Sequence, residues 1–333
     1  MKVDELRAKL SHLEKNDLIR IAVEFYKLVP KAKKEDYDLD TLITTPSVKT
    51  AKPTLSALFK STEEIEEEVN AFIVNAKANN YLSRNNIVPK KERATWRFKV
   101  KAWYKELNDV KNPRLDVVKQ AEILTNLYEL MCNGYDYFSS DDVFQSIGIG
   151  RVEFFYAALQ FIDKSEGKAG LVNKGISLMV NNSSEYSGLM DELINMLEIP
   201  EAKYDAIEVT KKMLSELMPL KVLSKKSAIS YYYDSEEYKK REKINHLAKL
   251  GFAIYVSLFE YEEATQFFKE YAVETDDEVK LYVLIGLLMR FRQKDHIKSE
   301  LEAAIKQGKK LRDSLLKLLK TINETGVLPD YIR

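Results

Sequence analysis

The chain carries a single cysteine, Cys132, in 333 residues. No intramolecular disulfide is therefore possible, nothing supports an oxidising compartment, and Cys132 reads as a free buried thiol. Turn formers are scarce too, with 11 glycines and 8 prolines. That is too few for the many tight turns of a sandwich or barrel. The three histidines, His12, His246 and His296, lie far apart, and none stands in an HExxH or paired-ligand spacing. They read as surface or boundary residues, and no metal or other cofactor is expected.

Net charge is also missing. The 52 basic residues balance 52 acidic ones, so no global field draws the chain to nucleic acid or anionic membrane, and such binding would need a local patch. Long apolar runs are absent as well. The longest, 281–289 and 252–259, are about half the ~20 residues that cross a bilayer. The opening MKVDELRAKLSHLEK is charged throughout and lacks the apolar segment of a signal peptide. A soluble cytoplasmic protein is the expectation, with no membrane partner.

What is present points to helices. An apolar fraction of 45% in a chain of this length supports a substantial core in two domains or one elongated array. Leu6, Leu10 and Leu13 fall at helical spacing, and Leu18, Ile21, Phe25 and Leu28 resume the pattern after a candidate cap at Asn16-Asp17. Two short helices or one bent helix fit equally. Residues 31–53 read as an exposed connection. Within it, Asp36-x-Asp38-x-Asp40 resembles the start of a calcium loop, but Thr41 stands where glycine is needed and Ser47 where a bidentate glutamate is needed. A solvated acidic turn is the better reading.

Ser61 and Glu64 form a capping box, followed by the stripe Ile65, Val69, Phe72 and Ala76, which predicts a helix to about Leu82. Its first turns hold Glu63, Glu64, Glu66, Glu67 and Glu68, which suit a helix N-terminus and could also face the basic stretch that follows. That stretch, KERATWRFKVKAWYKEL at 91–107, contains both tryptophans. As a helix it aligns Trp96, Val100, Trp103 and Leu107 on one stripe, with Arg93, Arg97, Lys101 and Lys105 beside it. As a strand, Trp96, Phe98, Val100 and Ala102 alternate equally well. Helix is preferred because no partner strand is evident to take up the backbone hydrogen bonds.

Asn112-Pro113 predicts the next helix start, with Val117, Ala121, Leu124, Tyr128 and Met131 carrying it to Asn133-Gly134. YDYFSSDD reads as a loop. Gly148-Ile149-Gly150 lacks the third glycine or the lysine of a nucleotide loop and reads as a helix boundary. Residues 151–163 are strongly apolar and belong in the core, and SEGKAG is a turn. Helices follow at about 171–180, 187–197 and 202–218, and 221–234 reads as a loop. The opening leucine-rich helices and the run GYDYFSSDDVFQSIGIGRVEFFYAALQFI resemble segments of uncharacterised bacterial all-helical proteins of unknown function, over about a third of the chain. The resemblance implies a helical fold and no active site.

From 235 onward the pattern is the most regular. Helices are expected over 238–259 and 261–271, then from a Thr275/Glu278 box through Phe291, then around Leu301, and finally from Leu311 to Ile322. Short connections favour antiparallel neighbours. The fold class is all-α: an irregular helical-repeat array of stacked pairs, of the tetratricopeptide or HEAT sort, with a compact helical bundle as the rival. YEEATQFFKEY has the rhythm of a tetratricopeptide second helix, although no strict 34-residue consensus repeats around it. The expected division is an N-terminal region at 1–90 and an array at 91–333, with a further boundary near 219–235.

No catalytic constellation stands out. Asp141-Asp142 and Asp276-Asp277 precede helices, where capping explains them. The one local electrostatic feature is 84–119, with eleven basic residues against four acidic and a local balance of +7. Its candidate nucleic-acid or phosphate-binding residues are Arg93, Arg97, Lys99, Lys101 and Lys105, interleaved with aromatics on which bases can stack. The competing reading is a core stripe with a solvated basic face. Two functions follow: a non-enzymatic helical scaffold binding a protein or peptide partner, or a nucleic-acid-binding protein using 84–119.

Overall fold

The computed structural model describes residues 3–30, 34, 39–44, 59–82, 85–181, 187–218, 236–274 and 276–332. All regular structure among them is helical. The chain divides into two compact units, 1–61 with 110–114, and 62–109 with 115–333.

The first unit holds α1 (Val3–Leu10), α2 (Lys15–Leu28) and α3 (Leu39–Thr44). The chain therefore opens with two helices, not one bent helix. Glu14 rather than Asn16 stands at the start of α2, which places Asn16-Asp17 inside its first turn. The short α3 lies within the expected connection, and the Tyr26 hydroxyl donates to the Asp40 carboxylate at 2.6 Å. Asp36, Asp38 and Ser47 of the calcium-like pattern lie outside the described residues.

The second unit opens with α4 (Thr62–Lys77), α5 (Lys90–Arg93), α6 (Trp96–Leu107) and α7 (Val117–Cys132). The ambiguous stretch is thus helical, broken at Ala94-Thr95. Helix α7 starts later than Asn112-Pro113 suggests. Its cap is Asp116, whose carboxylate accepts from the Lys119 N–H at 3.0 Å, while Asn112 braces a turn through the Lys60 carbonyl and the Arg114 N–H. A turn of 3₁₀ helix, Gly134–Asp136, leads to α8 (Val143–Ile147), capped by Asp142.

Helix α9 (Arg151–Asn181) absorbs the predicted turn SEGKAG, which survives as one non-helical residue, Gly167 at φ 67°, ψ −167°. Only glycine adopts that conformation readily. The first half is apolar nearly all round, burying Phe154, Phe155, Ala158, Leu159 and Ile162, as a core helix must. Around it come α10 (Ser187–Met196) and α11 (Pro200–Leu217), the latter opened by Pro200 at its first position, where a missing N–H costs nothing. Then follow α12 (Glu236–Ser257), α13 (Tyr261–Tyr271), α14 (Asp277–Arg290), α15 (Lys294–Lys306) and α16 (Asp313–Thr325). Asp276 caps α14 through the Val279 N–H; Thr275, assigned that role from the sequence, lies outside the described residues, as does 219–235.

Two packing regimes share this unit. From α4 to α10 the helices gather around α7 and α9: α4 and α9 pack on α7, and α10, α11 and α12 pack on α9. From α11 to α16 each helix packs on the next, which is compatible with stacked helix pairs. Helix α12 belongs to both. Ile244, Leu247, Leu250 and Ile254 enter the first apolar cluster, while Ala248, Phe252 and Val256 enter the second. No described helix is long and apolar enough to cross a membrane.

The α12–α13 contact depends on Gly251, where a Cβ would lie 2.1 Å from the Phe267 ring. Gly251→Ala should therefore destabilise by about 1–3 kcal/mol through overpacking, despite alanine's better helix propensity. Gly286→Ala on α14, where a Cβ meets nothing within 4 Å, should stabilise by up to ~1 kcal/mol. Urea unfolding of both variants tests this, and a shift of the same sign in both would refute the packing assignment.

Candidate functional site

Helix α6 is the frame of the candidate site. Its stripe Trp96, Val100, Trp103 and Leu107 is buried, as its period of three and four requires. Trp96 stacks on Phe138 at 4.3 Å between ring centroids, and Phe72 of α4 lies 5.2 Å from Trp103 and 5.7 Å from Phe138. Tyr81 closes the group against Phe72 and Phe138. Two hydrogen bonds fix the orientation of α6. The Trp103 indole N–H donates to Glu68 at 2.8 Å, and the buried Gln120 amide of α7 donates to the Leu107 carbonyl at 2.6 Å. The latter satisfies a last-turn carbonyl that the helix itself leaves open.

Glu68 of the α4 glutamate run thus meets Trp103, and the Lys119 ammonium lies 3.0 Å from Glu63 and 3.2 Å from Glu66. The five basic candidates separate into two groups. Arg93 faces inward, its guanidinium donating to the Val88 carbonyl at 3.1 Å and the Asn85 carbonyl at 3.4 Å. Lys101 is half-buried, and a Cβ at Gly148 would sit 3.1 Å from its ammonium. That places the ammonium beside the residue that ends α8. Arg97, Lys99 and Lys105 are exposed and make no ion pair or hydrogen bond among the described residues. Arg84 lies outside the described residues.

Of the aromatics interleaved with these cations, Trp96, Phe98, Trp103 and Tyr104, Phe98 alone is exposed. It is 63% exposed on the outer face of α6, and the Arg97 guanidinium carbon lies 5.0 Å from its ring centroid, within cation–π range. Reading α6 as a helix already turns Phe98 away from the tryptophan stripe, so its exposure was available from the period alone.

Two concavities lie elsewhere in this unit. One, of about 530 Å³, sits where α7 ends and α9 begins, and is lined by Cys132, Asp141, Asp142, Phe144 and Arg151 among others. Burial pushes the Cys132 thiol up, against the opposing pull of Arg151, which holds it protonated and poorly nucleophilic at neutral pH. Burial likewise raises Tyr128 beside it. Asp142 is committed to capping α8, and Glu153 accepts from the Gly150 N–H. The other, of about 370 Å³, lies between α7 and the second half of α9. Of the histidines, His12 is exposed, His296 stands 3.5 Å from Glu262, and His246 is buried rather than at a boundary. Among the described residues no three His, Cys, Asp or Glu side chains are grouped to hold a metal.

No protein-family model, curated protein or solved structure matches this chain.

Two tyrosines of this region, Tyr81 beyond α4 and Tyr104 on α6, carry a pH signature. Burial, aided by Glu92, pushes Tyr81 up to about 12, and burial, aided by Glu153, does the same to Tyr104. Both hydroxyls thus hold their protons more tightly folded than unfolded. Their contribution is complete below pH ~10 and is lost as pH rises toward ~12. Tyr104→Phe should flatten the fall in stability between those values in urea titrations, and an unchanged slope would contradict the assignment.

Proposed function

We propose that the chain is a helical scaffold that binds a protein or peptide partner, with the outer face of α6 as a contact surface. The observation that supports this is the solvent-facing Arg97–Phe98 pair on a helix whose opposite side is fixed in an aromatic core. Arginine and aromatic side chains are the groups that most often anchor protein interfaces. A helix held from behind presents them with little entropy left to lose on binding. The same proposal places the chain in the cytoplasm, where a lone thiol stays reduced.

The second reading, nucleic-acid binding through 84–119, draws on the same pair, because a base can stack on an exposed ring beside a cation. It is the weaker one. Arg93 is bonded to the Val88 and Asn85 carbonyls and Lys101 is half-buried beside Gly148, which removes two of the five candidate cations, and affinity for nucleic acid scales with the phosphates neutralised.

Replacing Phe98 by a photo-crosslinking benzoylphenylalanine tests the surface, with the same replacement at Ile305, also exposed, as control. Illumination in a cell extract should give discrete protein adducts from position 98 that are absent from 305. Nucleic-acid adducts would favour the second reading, and identical patterns at both positions would remove this face from consideration.

A further inference from the structure

We infer that the partner of the α6 face is an extended acidic segment with an apolar or aromatic side chain between its carboxylates; this rests on the scaffold reading above. The exposed cations Arg97 and Lys105 stand eight residues apart on α6, about 12 Å along the helix axis, with the half-buried Lys101 between them. Alternate side chains of an extended chain stand about 6.6 Å apart on one face, so carboxylates four positions apart, about 13 Å, match this pair, and the side chain midway between them faces the helix too. Phe98 and Ala102 are exposed one residue further round the helix, about 100° from that line, and the Arg97 guanidinium carbon lies 5.0 Å from the Phe98 ring centroid. The one acid of α6, Glu106, is half-buried and engaged, which leaves Arg97 and Lys105 unneutralised by their own helix.

Charge complementarity therefore selects carboxylates, and the Arg97–Phe98 pair selects an apolar side chain between them. The geometry favours a polypeptide over nucleic acid. A protein interface needs one desolvated anchor with charges at its rim, which this face has. Phosphate recognition needs several cations free on one surface, and along this line Lys101 is half-buried beside Gly148.

The test is fluorescence anisotropy with a short labelled peptide alternating Glu and Ser around one central Trp. Its comparators are the same peptide with Gln for Glu and a mixed-sequence single-stranded oligonucleotide, each at low and physiological salt. The Glu peptide should bind saturably. Both R97E/K105E and F98A should weaken it about tenfold or more, with K317E on α16 as an indifferent charge reversal. All four side chains are exposed, so thermal melting should show these variants folded. Equal binding of the Gln peptide, no loss in either α6 variant, or no binding at all would overturn the acidic class. Tighter binding of the oligonucleotide with a steep salt dependence would overturn it in favour of nucleic acid. Photo-crosslinking at position 98 reports on the scaffold reading separately: protein adducts there, without acidic contact segments, would leave that reading standing while this one fell.

Discussion

The aromatic contact between α4, α6 and the segment before α8 is the constraint on which the rest of the second unit's N-terminal half depends. Phe138 stacks between Trp96 and Phe72, and Trp103 and Tyr81 close around Phe72. Buried aromatics of this kind contribute through area and through ring geometry, with ~0.5–1.5 kcal/mol per favourable pair beyond burial. Because Phe138 lies in a loop, the stack also fixes 134–142, and through it the Asp142 cap of α8. Gly134 allows this approach, since a Cβ there would lie 2.7 Å from Val143. Once these rings are in place, α6 has no freedom to rotate, and which residues face solvent is decided.

A second consequence concerns how the helices succeed one another. Gly167 lets α9 change direction without a connecting loop, so one continuous segment supplies two surfaces for α7, α10, α11 and α12. Helix α12 then ends the gathered part and begins the sequential one, because opposite faces enter different apolar clusters. A helix buried on two sides has little amphipathic signature. This explains why 238–259 is legible as helix yet says nothing from its pattern about which neighbours it joins.

The sequence was most readable where one face alone is buried. The 96/100/103/107 stripe, the stripe 65/69/72/76 and the final helix with its left-handed Gly326 all follow from period and caps. It was least readable where a contact depends on residues distant in the chain. Phe138 looked like a loop residue because a loop has no period to mark burial. Lys101 looked like a member of a free basic row because its neighbour Gly148 is 47 positions away. Asn112-Pro113 is a good local start signal, yet the helix begins at the Asp116 cap, because a local signal does not say whether the tertiary structure uses it. At the candidate site, the charge on Arg97, Lys99 and Lys105 was visible, whereas the withdrawal of Arg93 and Lys101 was not. The exposure of Phe98 was legible, because the helical period of the tryptophan stripe turns it outward.

The account stands or falls on the orientation of α6: tryptophans in, Phe98 out. Acrylamide quenching of tryptophan fluorescence measures it directly, because Trp96 and Trp103 are the chain's two tryptophans and each is 5% exposed. The native protein should be quenched weakly, and Phe98→Trp should add one strongly quenched component without altering the melting temperature. Strong quenching of the native protein, or a shielded tryptophan at position 98, would contradict the buried stripe and the binding face together.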